Sequence, residues 1–164
     1  MNLVIAPNGV LQIEDARITF RNFAGVGTVY NREGDRNFSL IIEDQETADM
    51  LTSLGWNVKI RPPREVGEDS FVHLPVKIKF NEFGPRVVLI TNGIMNELDE
   101  ETVACLDNIR ISHIDMDVRP YDWVVQEGTP REARGRAAYL QAIYVTQAQS
   151  NDWLTDKYNE MYGG

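Results

Sequence analysis

Residues 71–80 show the clearest periodicity in the chain, an alternation of apolar and polar side chains with a period of two. Such an alternation is typical of a β-strand that has one face in the core and the other in solvent. The apolar parity carries Val72, Leu74, Val76, Ile78 and Phe80. The opposite parity carries Phe71, His73, Lys77 and Lys79. The segment therefore predicts a half-buried strand with a basic and aromatic outer face.

Other apolar runs predict further strands, and they do not alternate regularly with helices as βαβ units would. The candidates are residues 11–23, 38–42, 57–61, 86–90, 109–118 and 137–146. Asp44 and Asp99 are predicted to cap two short helices, and glycines within residues 24–37 indicate a long hairpin loop. We predict a mainly β domain over residues 1–149, an OB-like antiparallel β-barrel with two short helices and long hairpin loops. Residues 150–164 form a separate acidic C-terminal tail that contains aromatic residues.

Residues 11–23 carry a change of parity near Glu14 and Asp15, which indicates a β-bulge. Beyond the bulge, the side chains predicted to face the core are Ala16, Ile18 and Phe20. Those predicted to face outward are Arg17, Thr19, Arg21 and Phe23. In residues 57–61, Val58 and Ile60 are predicted to face inward. Residues 137–146 are apolar on both parities, which predicts a central strand.

Composition limits the class of protein. The chain has 164 residues, and Cys105 is its one cysteine, which excludes an internal disulfide and a zinc cage built of thiolates. We expect this residue to be buried in a short apolar stretch of the second helix. The sequence has no apolar run of about 18 residues and no secretion-signal pattern, so we expect a cytoplasmic protein without a membrane anchor.

The formal net charge of −9 argues against a nucleic-acid ligand, because phosphate binding needs Lys and Arg at the contact. The charges are segregated, however, along the chain. Three blocks, at residues 43–49, 65–69 and 97–107, contain many of the acids. Cations lie between these blocks, several of them close to aromatic residues, so a locally basic surface is compatible with the acidic total.

The outward-facing cations and aromatic side chains form the candidate binding site. Single-stranded nucleic acid needs cations that follow the backbone and flat side chains on which bases stack. The candidates are Arg17, Arg21, Phe23, Tyr30, Arg32, Arg36, Lys59, Arg61, Phe71, Lys77 and Lys79. An ordinary solvated sheet face explains the same pattern, because Arg and Lys are common on open faces. The basic stretch at residues 131–136 is equally compatible with a phosphate-binding loop and with a solvated one.

A metal-dependent nuclease is the enzymatic alternative. Asp115 and Asp117 lie two residues apart and share one strand face, and His73 and His113 are further possible ligands. No additional acid or HxxxH pattern completes a metal site in the sequence. We therefore expect structural or surface roles for these four residues, no cofactor and no enzymatic activity.

Several segments together resemble a family of bacteriophage single-stranded DNA-binding proteins of OB-fold type. They are residues 20–23 (FRNF), 31–38 (NREGDRNF), 55–59 (GWNVK), 74–77 (LPVK), 120–123 (PYDW) and 138–140 (AYL), within residues 10–147. The resemblance implies an OB-fold protein that coats phage DNA single strands during replication or recombination in the host cell, without catalysis or metal. It also implies that residues 31–38 contact the DNA.

These observations leave three hypotheses. The first is a single-stranded DNA-binding protein with little sequence preference, whose tail at residues 150–164 recruits replication or recombination proteins. This hypothesis is compatible with a homo-oligomer. The second is an acidic protein-binding module, for example a phage regulator that mimics DNA. The third is the metal nuclease. Salt-dependent binding of oligonucleotides separates the first hypothesis from the second, and Mg²⁺-dependent cleavage identifies the third.

Overall fold

A computed structural model describes residues 1–63, 65–67 and 70–149, and within them ten strands form one sheet. The strands are β1 (Asn2–Ile5), β2 (Leu11–Glu14), β3 (Ile18–Asn22), β4 (Arg36–Ile42), β5 (Lys59–Arg61), β6 (Phe71–Ile78), β7 (Arg86–Thr91), β8 (Ile94–Leu98), β9 (Ile111–Val125) and β10 (Ala133–Gln147). The helix α1 spans Gln45–Ser53, and a 3₁₀ helix spans Val103–Asp107. In this described part, no helix has the length and apolar character needed to cross a membrane.

Strand β10 lies at the centre of the sheet, as its apolar character on both parities predicts. It runs antiparallel to β9 along almost its full length, with a register shift between Leu140 and Ala142. Before the shift, Ala138 and Tyr139 pair in parallel with β6. After the shift, residues 142–146 pair in parallel with β7. One strand therefore joins three neighbours.

The sheet departs from the predicted antiparallel barrel in two ways. It is mixed, because β10 is parallel to both β6 and β7. Its main path runs β1-β2-β9-β10-β6-β4-β3, and no pairing joins β1 to β3 among the described residues, so the sheet does not close. The period of two defines which face of a strand is buried, but it does not define the direction or the identity of the partner strand.

The core lies on the inner face of the sheet, with buried side chains from β2, β4, β6, β7, β9 and β10. Leu40, Leu74 and Val76 are fully buried there, and the alternation predicted for residues 71–80 is confirmed. Helix α1 covers this core with Ala48 and Leu51. Two residues predicted to be buried are exposed. Ile60 is 69% exposed, and Cys105 is exposed on the 3₁₀ helix, so both predictions are wrong.

Of the two predicted helix caps, Asp44 caps α1, whereas Asp99 caps a turn that precedes the 3₁₀ helix, whose own N-cap residue is Thr102. The Asp44 carboxylate accepts hydrogen bonds from the backbone N–H of Glu46 and Thr47 at the start of α1. The Asp99 carboxylate accepts hydrogen bonds from the backbone N–H of Glu101 and Thr102. The hydroxyl of Thr47 donates to Asp44 as well, and this contact, ahead of the backbone contacts, lowers the pKa of that carboxyl. The second predicted helix is the 3₁₀ helix at Val103–Asp107, which begins after the turn that Asp99 caps.

Strand β3 exchanges the predicted positions of two phenylalanines. Phe20 has a left-handed backbone with φ +52°, within a register shift between Thr19 and Asn22. Because this irregularity reverses the parity, Phe20 is 48% exposed, and Phe23 is fully buried with its ring stacked on Phe38 at 5.5 Å between centroids. The predictions that Phe20 lies in the core and that Phe23 faces outward are therefore wrong.

The exchange of Phe20 and Phe23 has a measurable consequence for stability. We expect Phe23→Ala to lower the free energy of unfolding by about 3–5 kcal/mol, because it leaves a cavity in the core. Phe20→Ala removes an exposed ring and should change this free energy by less than about 1 kcal/mol. Urea unfolding of both variants, followed by circular dichroism, compares them directly. A larger loss for Phe20→Ala than for Phe23→Ala would contradict the assignment.

Candidate nucleic-acid interface

Four side chains from β3, β5 and β6 form an aromatic cluster on the outer face of the sheet: Phe20, Arg61, Phe71 and His73. The guanidinium carbon of Arg61 lies 4.7 Å from the ring centroid of Phe20 and 5.6 Å from that of Phe71. The Phe20 and Phe71 centroids are 6.0 Å apart, and the Phe71 and His73 centroids are 5.4 Å apart. A cation is thus held against two phenylalanine faces within the range of cation–π attraction.

The local backbone explains why these side chains meet. Phe71 and His73 share the outer parity of β6, and Arg61 is paired with Phe71 across β5 and β6. Phe20 joins them through the irregularity in β3 described above. The sequence identified Arg61 and Phe71 but assigned Phe20 to the core, because the positive φ at Phe20 has no signature in the residue types around it.

Histidine 73 occupies a half-buried position at the edge of this cluster. Its Nδ1 lies 3.0 Å from the hydroxyl oxygen of Ser39, and Lys59 is its cross-strand partner on β5. Burial and, as a smaller cause, the positive charge of Lys59 lower the pKa of His73. The imidazole is therefore neutral near pH 7 and adds a flat surface rather than a charge.

A groove of about 970 Å³ lies beside the aromatic cluster, between Phe20 and Arg61 on one side and the loop of residues 24–35 on the other. Tyr30, at the tip of this loop, is 97% exposed. The groove lining combines aromatic rings, two arginines, amide side chains and the Asp107 carboxylate, which is hydrogen-bonded to the backbone of Phe23 and Ala24. The lining includes Phe20, Arg21, Asn22, Tyr30, Asn31, Asn37 and Arg61. This combination offers stacking surfaces, a positive charge and hydrogen-bond donors in one open channel.

Asparagine 31 holds the loop in shape. Its side-chain amide donates to the backbone carbonyls of Val26 and Asp35 at 3.0 and 2.9 Å, and its side-chain oxygen accepts from Asn37 at 2.9 Å. Arg32 is exposed on the same loop and lies 3.6 Å from the Asp35 carboxylate. Because an exposed ion pair of this kind contributes little, Arg32 is available to a phosphate.

Two of the predicted contact arginines instead anchor the base of the loop. The guanidinium of Arg21 donates to the backbone carbonyls of Leu106 and Ile109 at 2.7 and 2.8 Å. The guanidinium of Arg36 donates to the carbonyl of Phe23, and its carbon lies 5.5 Å from the ring centroid of Phe80. These side chains are half-buried and their guanidinium groups are bound to backbone carbonyls, so the prediction that both face outward as free cations is corrected, although Arg21 still lines the groove.

Asp107 completes this anchor from the 3₁₀ helix. Its carboxylate accepts hydrogen bonds from the backbone N–H groups of Phe23 and Ala24 at 2.7 and 3.0 Å. An acid that the sequence grouped with the third acidic block therefore stabilises the loop that lines the groove. Residue spacing could not reveal this contact, because Asp107 lies more than 80 residues from its partners.

The remaining predicted cations divide into two groups. Lys59, Lys77 and Lys79 are exposed and share the outer parity of β5 and β6 or its continuation. The Lys77 ammonium lies 6.0 Å from the ring centroid of Tyr139 on the neighbouring β10. Arg17 is also exposed, but its guanidinium donates a hydrogen bond to the Glu43 carboxylate at 2.6 Å, a closer contact than the 3.6 Å between Arg32 and Asp35.

The basic stretch at residues 131–136 is largely neutralised. Arg134 forms ion pairs with Glu132 at 3.1 Å and Glu127 at 3.7 Å. Arg136 donates two hydrogen bonds to the Asp122 carboxylate at 2.7 and 3.1 Å, and these bonds lower the pKa of Asp122. These contacts favour the reading of this stretch as a solvated, ion-paired segment.

The candidate nuclease residues do not assemble into a metal site. His113 lies between Asp115 and Asp15, at 2.9 and 3.4 Å, while His73 belongs to the aromatic cluster. Within the described ranges, no group of three or more His, Cys, Asp or Glu side chains is arranged to hold a metal ion. Partial desolvation and the charge of Asp107 raise the pKa of the Cys105 thiol, which disfavours a nucleophilic thiolate.

Comparison with known proteins is consistent with this geometry. The family model described as "Putative phage ssDNA-binding domain" matches residues 2–162. The chain belongs to this family. Comparison of the sequence with curated proteins gives no match.

Solved structures of the single-stranded DNA-binding protein from bacteriophage Enc34 share the fold of this phage ssDNA-binding domain. The Enc34 protein in complex with ssDNA has a TM-score of 0.57 at 12% identity, covering 91% of this chain and 92% of that chain. Its C-terminal truncation has a TM-score of 0.55 at 12% identity, covering 91% of each chain. A further structure of the Enc34 protein has a TM-score of 0.54 at 11% identity, covering 91% of this chain and 87% of that chain.

The environment of His73 predicts its titration. Because burial and Lys59 both disfavour the imidazolium, we expect an NMR titration to place the pKa of His73 below the usual value of about 6.5. The unfolded chain then binds a proton more readily than the fold does, so this residue makes the protein less stable as the pH falls below about 6.5. Lys59→Gln should raise the pKa only part of the way, because burial is the larger cause. Lys79→Gln is the control and should leave it unchanged. A pKa at or above the usual value would contradict the described environment.

Proposed function

We propose that this phage single-stranded DNA-binding protein coats replication or recombination intermediates through the outer face of β5 and β6 and the groove beside it. The observation that carries the proposal is the aromatic cluster, in which Arg61 lies over Phe20 and Phe71 at the edge of an open groove. Two rings support stacked bases, and the guanidinium supports a phosphate or a further stack. The Enc34 protein of the same fold, solved in complex with ssDNA, supports this assignment.

The cations proposed to follow the DNA backbone are those that remain exposed on this side. Lys59 flanks the aromatic cluster, Arg61 belongs to it, Arg32 lies on the groove loop, and Lys77 and Lys79 extend the surface along β6 and its continuation. Tyr30 is a further stacking residue, since its ring is almost fully exposed at the loop tip. Arg21 and Arg36 contribute indirectly, because they hold the loop in place. Phe23 contributes through the core alone.

The negative total charge is compatible with this proposal. The first acidic block lies at the end of β4 and on α1, and the third lies on β8 and around the 3₁₀ helix, where Asp107 is the member that lines the groove. Exposed charges act over a screening length of about 10 Å at 0.1 M salt, so the local cations determine the attraction for phosphate. The acidic residues also reduce unspecific adhesion of the protein to other polyanions.

The wider proposal follows the family. It includes an OB-like arrangement of the strands, action in the host cell, little sequence preference, and binding without catalysis or a cofactor. The tail at residues 150–164 lies outside the described residues. From its composition of acids and aromatic residues, we propose that it recruits replication or recombination proteins. The acidic DNA-mimicking regulator is the rival function, and it requires no affinity for oligonucleotides.

Strand preference tests the proposed function. We expect tighter binding to a fluorescently labelled dT15 oligonucleotide than to a duplex of the same length, because stacking on Phe20, Phe71 or Tyr30 requires unpaired bases. The logarithm of the association constant should fall by about 0.7 per phosphate contact for each decade of salt. Fluorescence anisotropy at two salt concentrations measures both effects. Absence of binding would favour the regulator. Equal affinity for duplex would contradict the stacking mechanism, and salt-insensitive binding would contradict the phosphate contacts.

Charge reversal tests the face. We expect Lys77→Glu and Lys79→Glu each to weaken dT15 binding, and the double variant to weaken it by roughly tenfold or more at low salt, because favourable phosphate contacts become repulsive. Arg86→Glu is the matched control: it changes the net charge equally but lies on β7, beyond the register shift of β10. All variants should melt close to the parent temperature, since these side chains are exposed. Equal effects of the three single substitutions would indicate a general charge effect and would exclude this face.

A further inference from the structure

Strands β9 and β10 extend past β6 as a two-stranded arm, residues 121–125 and 133–137. Strand β10 pairs with β6 at Ala138 and Tyr139. The β9–β10 pairs from Tyr121–Ala137 to Val125–Ala133 lie beyond that point. The sequence did not predict the arm, because its residues are polar and aromatic without a clear alternation. It begins beside Lys77, at the end of the proposed binding face.

One side of the arm is fixed to the domain. Arg136 holds Asp122 through two hydrogen bonds, and its guanidinium carbon lies 5.7 Å from the ring centroid of the buried Trp56. Arg136 and Trp56 also form a parallel bridge. On this side, Arg136 and Asp122 therefore neutralise each other, and the contact of Arg136 with Trp56 orients the arm relative to the sheet.

The other side of the arm, together with the sheet at its base, carries a row of cations and rings, here called the arm row: Lys77, Tyr139, Arg119, Tyr121 and Trp123. The Arg119 guanidinium carbon and the Lys77 ammonium lie 4.9 and 6.0 Å from the Tyr139 ring centroid. The Tyr121 and Tyr139 centroids are 5.7 Å apart. Tyr121 is 53% exposed and Trp123 is 40% exposed, so the row is an open surface rather than core.

Trp123 packs closely on Gly135, its partner across the arm. A Cβ atom at residue 135 would lie 2.4 Å from Cζ2 of Trp123 and 2.6 Å from Cε2, distances that real side chains do not reach. Glycine at this position thus lets the indole approach the backbone, and the side chain remains 40% exposed. A ring supported by the backbone and partly open to solvent is a suitable platform for a base.

The arm row and the aromatic cluster are two ends of one surface. Phe71 and Lys77 are six residues apart on the same parity of β6, which corresponds to about 20 Å at about 3.3 Å per residue. His73 and Pro75 lie between them on the same face. A single-stranded segment within the site size of about 4–16 nucleotides known for such domains reaches across this distance.

We propose that the arm row is a second stacking subsite for the same DNA strand, with Tyr121 and Trp123 as the stacking residues and Lys77 and Arg119 as phosphate contacts. The inference rests on the proposed function, because it extends the same binding face. Gly135 is a positioning residue that lets the indole of Trp123 approach the backbone. A protein ligand is less well matched, because the row combines two cations with exposed rings, and a phosphate backbone with unpaired bases needs both.

Tryptophan fluorescence tests this subsite in the full-length chain. Trp153→Phe removes the tryptophan outside the described residues, and Trp56 is buried, so Trp123 is the exposed indole of this background. We expect dT15 to quench this emission at the concentration at which anisotropy shows binding. Trp123→Phe in the same background measures the Trp56 signal and should lose the quenching while retaining binding. DNA binding with unchanged Trp123 emission would overturn the subsite alone, whereas no binding of dT15 would overturn the proposed function and the subsite with it.

Affinity measurements give an independent test with a matched control. We expect Tyr121→Ala and Trp123→Ala each to weaken dT15 binding by about fivefold or more, the lower range for loss of one stacked base. Gly135→Ala should weaken binding although it removes no ring, and in combination with Trp123→Ala it should add nothing. Tyr144→Ala is the control: Tyr144 also lies against an arginine, Arg86 at 5.6 Å, but beyond the register shift. With melting temperatures confirming folded variants, parent-like affinity of Tyr121→Ala and Trp123→Ala, or an equal loss for Tyr144→Ala, would overturn the subsite.

Discussion

The pairing of β10 with three neighbours holds the sheet together. Without this strand, the described ladders separate into three parts: β1, β2 and β9; β7 and β8; and β3 to β6. The register shift between Leu140 and Ala142 lets the strand follow β6 with its first half and β7 with its second half. The pairing also places Tyr139 beside Lys77, so the element that stabilises the fold also determines where the proposed DNA surface continues.

The irregularity in β3 links backbone strain to the candidate site. A non-glycine residue at positive φ costs about 1–3 kcal/mol and persists where the surrounding structure compensates for it. Here the burial of Phe23 against Phe38 is the compensation, since loss of a buried phenylalanine costs about 3–5 kcal/mol. The result is an exposed Phe20 against Arg61 and Phe71. Core packing on one side of the strand thus prepares a stacking surface on the other.

Ion pairing determines which cations remain available on an acidic protein. Arg17, Arg134 and Arg136 contact carboxylates, and Arg21 and Arg36 contact backbone carbonyls. Lysines 59, 77 and 79 and Arg61 share the outer face of β5 and β6 or its continuation. A count of charges along the sequence could not make this distinction, because each contact depends on residues that are distant in the chain. The proposed site is consequently smaller than the set of outward-facing cations that the sequence predicts, and it gains the arm row.

The sequence by itself determined the features that depend on near neighbours along the chain. The period of two in residues 71–80 identified the buried and outer faces of β6, Asp44 identified the start of α1, and the apolar character of residues 137–146 identified the central strand. The resemblance in residues 10–147 identified the family. Only the tertiary structure decided the exposure of Phe20, the anchoring role of Arg21 and the contact of Tyr139 with Lys77. These depend on a backbone irregularity and on long-range pairing, and neither the positive φ of one residue nor the choice of a partner strand is encoded in local periodicity.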